Sequence, residues 1–190
     1  MQYTTRLTWE SLLLFEMQTT VRLLLEGKTW SESKEEILEH NLYQYEKPSS
    51  TRKRLGLIQR RLNFLDWEWY TLFSEDVGNA KILALYTIYR DNNLFESAIT
   101  KVIWHKIQSR SYELHKNDIL QLFGLLKAQD ESITARTKQT IAKLSQVILK
   151  ILKESEVLKN DRLTPIYIPR NIREYLEKKE LWVSFISSIS

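Results

Sequence analysis

The sequence predicts a mainly α-helical protein, and three observations carry that expectation. Only four glycines and three prolines occur in 190 residues, whereas sheet proteins need frequent turn residues. Apolar residues recur at helical spacing over most of the chain. β-favouring texture is confined to one stretch, residues 157–168. Hydrophobic content of 43% and charged content of 27% suit a globular chain rather than a disordered one. The length allows one large domain or two small ones.

In order along the chain, residues 8–26 form the first expected helix. Leu12, Phe15, Thr19 and Leu23, with Val21, Leu24 and Leu25, give it a wide apolar stripe, and Gly27 is placed to stop it. Thr29 and Glu32 have the spacing of a capping box and open a second helix to about His40. Pro48 then breaks the pattern. A third helix starts between Ser49 and Thr51 and runs to about Leu65, with Leu55, Ile58, Leu62 and Leu65 at the 3.6 period. Residues 66–73 make a short aromatic helix. The stretch 74–79 is the expected domain boundary, giving residues 1–76 and 77–190.

Beyond it, residues 80–89 and 94–108 read as helices around a turn at Asp91-Asn92-Asn93, and 117–126 as another. Residues 135–154 form the longest helix, with Ile141, Leu144, Ile148 and Ile151 inward. Two β-favouring runs flank Asn160-Asp161, a dipeptide suited to a tight hairpin. Pro169 and Asn171 open a last helix to about Lys179.

Net charge is only +4, but it is segregated. Residues 49–61 hold five bases and no acid, and residues 132–153 again five and none. Removing these ten from 28 bases leaves 18 against 24 acids, so the rest of the chain carries −6. Surface helices usually mix signs to make i,i+4 pairs. Concentrated positive charge is what a polyanion-binding surface requires.

Each basic stretch follows a shorter helix and a break, the order of a helix-turn-helix whose second helix enters the major groove. The fold expected is therefore two helix-turn-helix or winged-helix-like units, the second with a small C-terminal β-hairpin wing. On the third helix Lys53, Gly56, Arg60 and Asn63 share a face opposite the apolar stripe, flanked by Arg54 and Arg61. Arg52, Lys53 and Arg54 stand in its first turn, where the helix dipole favours anions instead. On the long helix Arg136, Gln139, Lys143, Gln146, Lys150 and Lys153 form one basic-or-amide stripe, with Lys138 beside it. Glutamine can read adenine edges while Arg and Lys reach phosphate or guanine. Lys159 and Arg162 fall on the wing. These residues are the candidate contacts to double-stranded DNA, made largely without sequence preference. The competing expectation is that both stripes are solvated faces.

Catalytic and cofactor signatures are not evident. His40, His105 and His115 lack metal-site spacing, there is no cysteine, and no glycine-rich phosphate loop occurs. The acids Glu35, Glu36 and Glu39, and Glu75 with Asp76, read as solubilising charge. Glu16 interrupts the most apolar helix and suits a buried partner for an arginine such as Arg61 better than an acid catalyst. Trp67, Trp69 and Tyr70 suit a base-stacking platform, though core packing explains them more simply. Without a long apolar span or signal-like start, the expectation is a cytoplasmic protein with no membrane, metal, cofactor or small-molecule partner.

Several segments carry a family likeness. They are Tyr3-Thr4 before the Glu16 helix, Arg60-Arg61-Leu62-Asn63-Phe64-Leu65, Ala80 to Leu85, and Leu94-Phe95-Glu96. Asp118 to Phe123, Thr137 onward and Pro169 to Leu176 continue it. On these the chain resembles the BrxA family of the BREX bacteriophage-exclusion systems. The resemblance implies a non-enzymatic, DNA-binding component of phage defence, working beside a methyltransferase, an ATPase and a phosphatase-like protein. It implies winged helix-turn-helix units, or alternatively a single helical bundle like the RNA-binding NusB fold. A role as protein-interaction adaptor among the other BREX proteins is the remaining alternative. No hairpin signal follows Leu65, so the N-terminal half departs from a winged unit.

Overall fold

A computed structural model describes residues 7, 10–178, 185 and 189. They are mainly helical, with one small antiparallel sheet near the C-terminus. Tyr3, Thr4 and Lys179, invoked above, lie outside the described residues, as do residues 8 and 9 at the expected start of the first helix. Two compact units are formed: Leu13–Thr87, and a second joining residues up to Leu12 to those from Ile88 onward. The division falls within a helix rather than at 76/77. Between Glu75 and Val77 there is only a sharp break, where Asp76 Oδ1 accepts the Asn79 N–H at 2.9 Å. Gly78 fits under that carboxylate, which a β-carbon would approach to 2.9 Å.

The Leu13–Thr87 unit contains α1 (Leu14–Leu25), α2 (Trp30–Glu39), α3 (Pro48–Leu62), α4 (Trp67–Glu75) and most of α5 (Val77–Asp91). α1 starts later than expected because Leu13 is left-handed at φ 56°, a conformation a right-handed helix cannot pass through. Gly27, at φ 89°, lies just past its end. The capping box forms as read: Glu32 N–H donates to Thr29 Oγ1 and Thr29 N–H to Glu32 Oε2. The Thr29 amide, more than the Thr29 hydroxyl, holds the Glu32 carboxyl below its ordinary range. Met17, Val21, Ile37, Ile58, Phe73 and Leu83 are fully buried, each contributing about 1.5–3 kcal/mol relative to exposure. Trp69 joins them, stacked on Tyr86 at 5.1 Å, while Trp67 stays exposed.

The other unit runs through α6 (Asn93–Ala98), a π-helical turn (Ile99–Ile103), α7 (Trp104–Gln108), α8 (Lys116–Lys127), α9 (Glu131–Thr134) and α10 (Lys138–Glu154). β1 (Leu158–Lys159), β2 (Arg162–Leu163) and α11 (Arg170–Lys178) follow. Asn92 caps α6 by accepting the Leu94 and Phe95 amides, each at 3.1 Å. The expected helix over 94–108 is continuous but widened at the π turn. β1 and β2 pair Leu158 with Leu163 and Lys159 with Arg162. Their turn places Asn160 and Asp161 at φ 50° and 58°, the two positive values a tight right-twisting hairpin requires. A third edge is added by Glu113, which bridges to Arg162, with Leu163 N–H donating to Tyr112 O and Leu114 N–H to Asp161 O. Phe95, Ile119, Phe123, Leu144, Ile148, Ile151, Leu163 and Leu176 close the core.

Candidate nucleic-acid interface

The long basic helix is shorter than its sequence pattern. Ile133 is drawn into the core from α9, and Thr137 then caps α10 by accepting the Thr140 N–H at 3.1 Å. Arg136 consequently sits on the α9–α10 connection, half-buried, rather than in the helical stripe. Its Nε is enclosed without a hydrogen-bond partner. The remaining stripe behaves as read: Lys138, Gln139, Lys143, Gln146, Lys150 and Lys153 are exposed, while Ile141, Leu144, Ile148 and Ile151 face the core.

Ion pairing divides this stripe. Lys150 meets Glu154 at 3.5 Å, Lys153 meets Asp161 at 3.2 Å, and Lys159 meets Glu156 at 2.8 Å. The C-terminal end of α10 and the root of the hairpin are thus partly neutralised. Within α10 itself no acid occurs before Glu154. Glu154 has a second task, its Oε2 accepting the Leu12 N–H at 2.7 Å.

On the hairpin Lys159 and Arg162 are exposed and stand directly opposite each other. Like charges in that register repel. Glu156 offsets one, and the Tyr112 ring lies 5.8 Å beneath the Arg162 guanidinium, offsetting the other.

The α3 stripe is depleted by comparison. Arg61 is fully buried, a correction to its reading as an exposed contact. A guanidinium removed from water must find hydrogen-bonding partners inside the protein, so Arg61 belongs to the interior. Arg54 and Arg60 are half-buried, and Arg54 hydrogen-bonds Tyr45. Burial first, then the hydrogen bond its hydroxyl donates to Glu16, pushes Tyr45 up to about 12, against the lowering pull of Arg54. Glu16 is buried as expected. Beside it Tyr43 Oη and Thr20 Oγ1 lie 2.6 Å apart, and the Thr20 hydroxyl donates to Glu16 O. Arg52, Lys53, Gly56 and Asn63 remain as the exposed face. α3 begins with Pro48, has no acid in its first turn, and receives no side-chain cap.

Sequence reasoning missed three contributors: the Tyr112–Glu113 edge under the hairpin, the Thr137 cap, and the Lys106–Asp118 pair at 2.9 Å between α7 and α8. Thr137 before an apolar-periodic run was a legible signal. The other two join residues whose contact only tertiary folding creates. Among the described residues, no cluster of three or more His, Asp or Glu is placed to hold a metal ion, and no helix is long and apolar enough to cross a membrane.

Comparison with known proteins agrees with the likeness noted in the sequence. A solved crystal structure of an uncharacterized protein from Magnetospirillum magneticum has the same fold, with a TM-score of 0.82 over 100% of this chain and 98% of that one, at 18% identity. The BREX protein BrxA of Bacillus cereus is 28% identical over 152 residues, which span 80% of this chain and 76% of the relative. The BrxA family's sequence model matches residues 1–180. The chain belongs to the BrxA family.

Proposed function

We propose that this protein is a non-catalytic, double-stranded-DNA-binding component of a BREX phage-defence system, acting in the cytoplasm beside other BREX proteins. The carrying observation is the exposed, acid-free Lys138–Gln146 half of α10, followed in the same unit by a hairpin with two cations in register. The order α6–α7, the Tyr112–Glu113 edge, α8, α10 and hairpin supports a winged helix-turn-helix with α10 as recognition helix. Lys138 and Lys143 then reach phosphates, Gln139 and Gln146 face base edges, and Lys159 and Arg162 grip the backbone alongside. Arg52 and Lys53 at the uncapped start of α3 supply a weaker, separate phosphate contact.

The test is a salt series of duplex binding by fluorescence anisotropy, with single-stranded DNA and structured RNA in parallel. Neutralising about five phosphates gives a slope of log K against log salt near −4.5. Duplex should bind more tightly than either single strand or RNA. Absence of duplex binding at low salt overturns the reading, and tighter binding to structured RNA replaces it with RNA recognition.

A further inference from the structure

A cleft lined by none of the residues of the basic stripes opens in the unit from Ile88 onward. One wall is the π turn with α7, the other is α8, and the volume is about 350 Å³. Its side chains fall into two groups. Lys106 and Asp118 are satisfied internally: Lys106 Nζ also donates to Glu113 O at 2.8 Å, and Asp118 Oδ2 accepts the His115 N–H at 2.7 Å. They brace the cleft and offer little to a ligand.

The rest of the lining is Lys101 and His105, the uncharged polar Ser109, Ser111 and Gln121, and three apolar side chains. Lys101 and His105 are exposed, and neither has an acid within ion-pair distance among the described residues. Val102 and Leu125 supply the apolar surface, with Leu125 64% exposed, while Leu122, also in the lining, is buried. Lys101 and Val102 stand on the π turn, a helix irregularity that is rare and often found at functional sites.

We propose that this cleft docks a short acidic segment of a partner protein. An aliphatic or aromatic side chain of that segment packs on Val102 and Leu125, while a neighbouring carboxylate meets Lys101 and His105. Charge complementarity selects the occupant, because the one carboxylate in the lining, Asp118, is already taken by Lys106. The apolar surface favours a peptide over a nucleic-acid backbone, whose phosphates bring nothing to cover a leucine. This goes beyond the duplex-binding reading and does not depend on it.

The test is anisotropy with labelled short peptides tiling the acidic segments of the other BREX proteins, with basic tiles as controls. At least one acidic tile should saturate the wild-type protein at micromolar concentration, and no basic tile should. Leu125→Ser and Lys101→Glu should each weaken that tile about tenfold or more, a loss of ~1.4 kcal/mol, whereas Lys138→Glu leaves it unchanged. Leu125→Ser should keep both its thermal melt and its duplex affinity. If that variant melts early, His105→Ala serves in its place. The proposal is overturned if no acidic tile binds, if the variants bind like wild type, or if Leu125→Ser loses duplex affinity in step with peptide. A protein that binds tiles but not duplex sinks the DNA reading alone.

Discussion

The acid-free stretches around α3 and α10, residues 49–61 and 132–153, hold five bases each, yet the folded protein treats them differently. On α10 every base within the helix is exposed. Of the five around α3, Arg61 is interior, Arg54 and Arg60 are half-buried, and only Arg52 and Lys53 are fully presented. Charge content therefore overstates a surface wherever arginine's long apolar stem lets it enter a core. Lysine, a strongly hydrated point charge, resists burial, and α10 carries only lysines. The comparison predicts that α3 bases act mainly on stability and α10 bases mainly on binding.

Arg61→Met is the largest expected effect. Removing a buried guanidinium strands whatever groups it satisfies, at a cost of about 3–5 kcal/mol. Lys53→Ala, on the exposed face, should change stability by no more than about 0.5 kcal/mol. Urea unfolding of the two variants measures this directly. Equal midpoints would show that Arg61 is not an interior residue.

On binding the order should reverse. The double variant Lys138→Ala, Lys143→Ala removes two phosphate contacts and should flatten the salt slope by about 2. Lys53→Ala should flatten it by at most about 1. If Lys53→Ala proves the more damaging, α3 rather than α10 is the principal contact, and the recognition-helix assignment fails.

A smaller effect concerns how the α10 unit is braced. Burial works to raise Asp118, but the hydrogen bonds from Lys106 and the His115 amide outweigh it and leave its carboxyl below the ordinary range. A folded-state value below the unfolded one stabilises the protein above the ordinary aspartate range. That contribution is lost as pH falls through the folded value. Asp118→Asn should cost about 1–2 kcal/mol at pH 7 and less in acid, as pH falls through the folded value and the wild type sheds the same interaction. An equal cost at pH 7 and in acid would show that packing, not charge, is lost.

How much of this was legible in the sequence differs by feature. Local signals were sufficient where local physics decides: the Thr29–Glu32 capping box, the stop at Gly27 and the Asn160-Asp161 turn all form. Periodicity found the helices and the inward face of α10. It failed at Arg61, which lies one position before Leu62 and three after Ile58, close enough to the apolar stripe to be carried inside. Arg136 was misplaced because the periodic pattern runs through the Thr137 cap without a break in polarity. The π turn and the Tyr112–Glu113 edge arise from packing and pairing with distant segments, which no window of local sequence contains.

Gly56 offers the finest test of whether α3 meets a polyanion at all. It stands exposed in the interior of a 15-residue helix, and a β-carbon there would meet nothing within 4 Å. Packing therefore does not require glycine, and helix propensity opposes it by about 1 kcal/mol relative to alanine. Gly56→Ala should raise stability by roughly 0.5–1 kcal/mol, read as a higher urea midpoint with unchanged slope. If Gly56 allows a sugar-phosphate backbone to approach α3 closely, the same variant should bind duplex less well, by about threefold or ~0.6 kcal/mol, while Gly124→Ala on the exposed face of α8 should not. Stabilisation without loss of affinity would remove α3 from the interface and leave α10 with the hairpin as the whole of it.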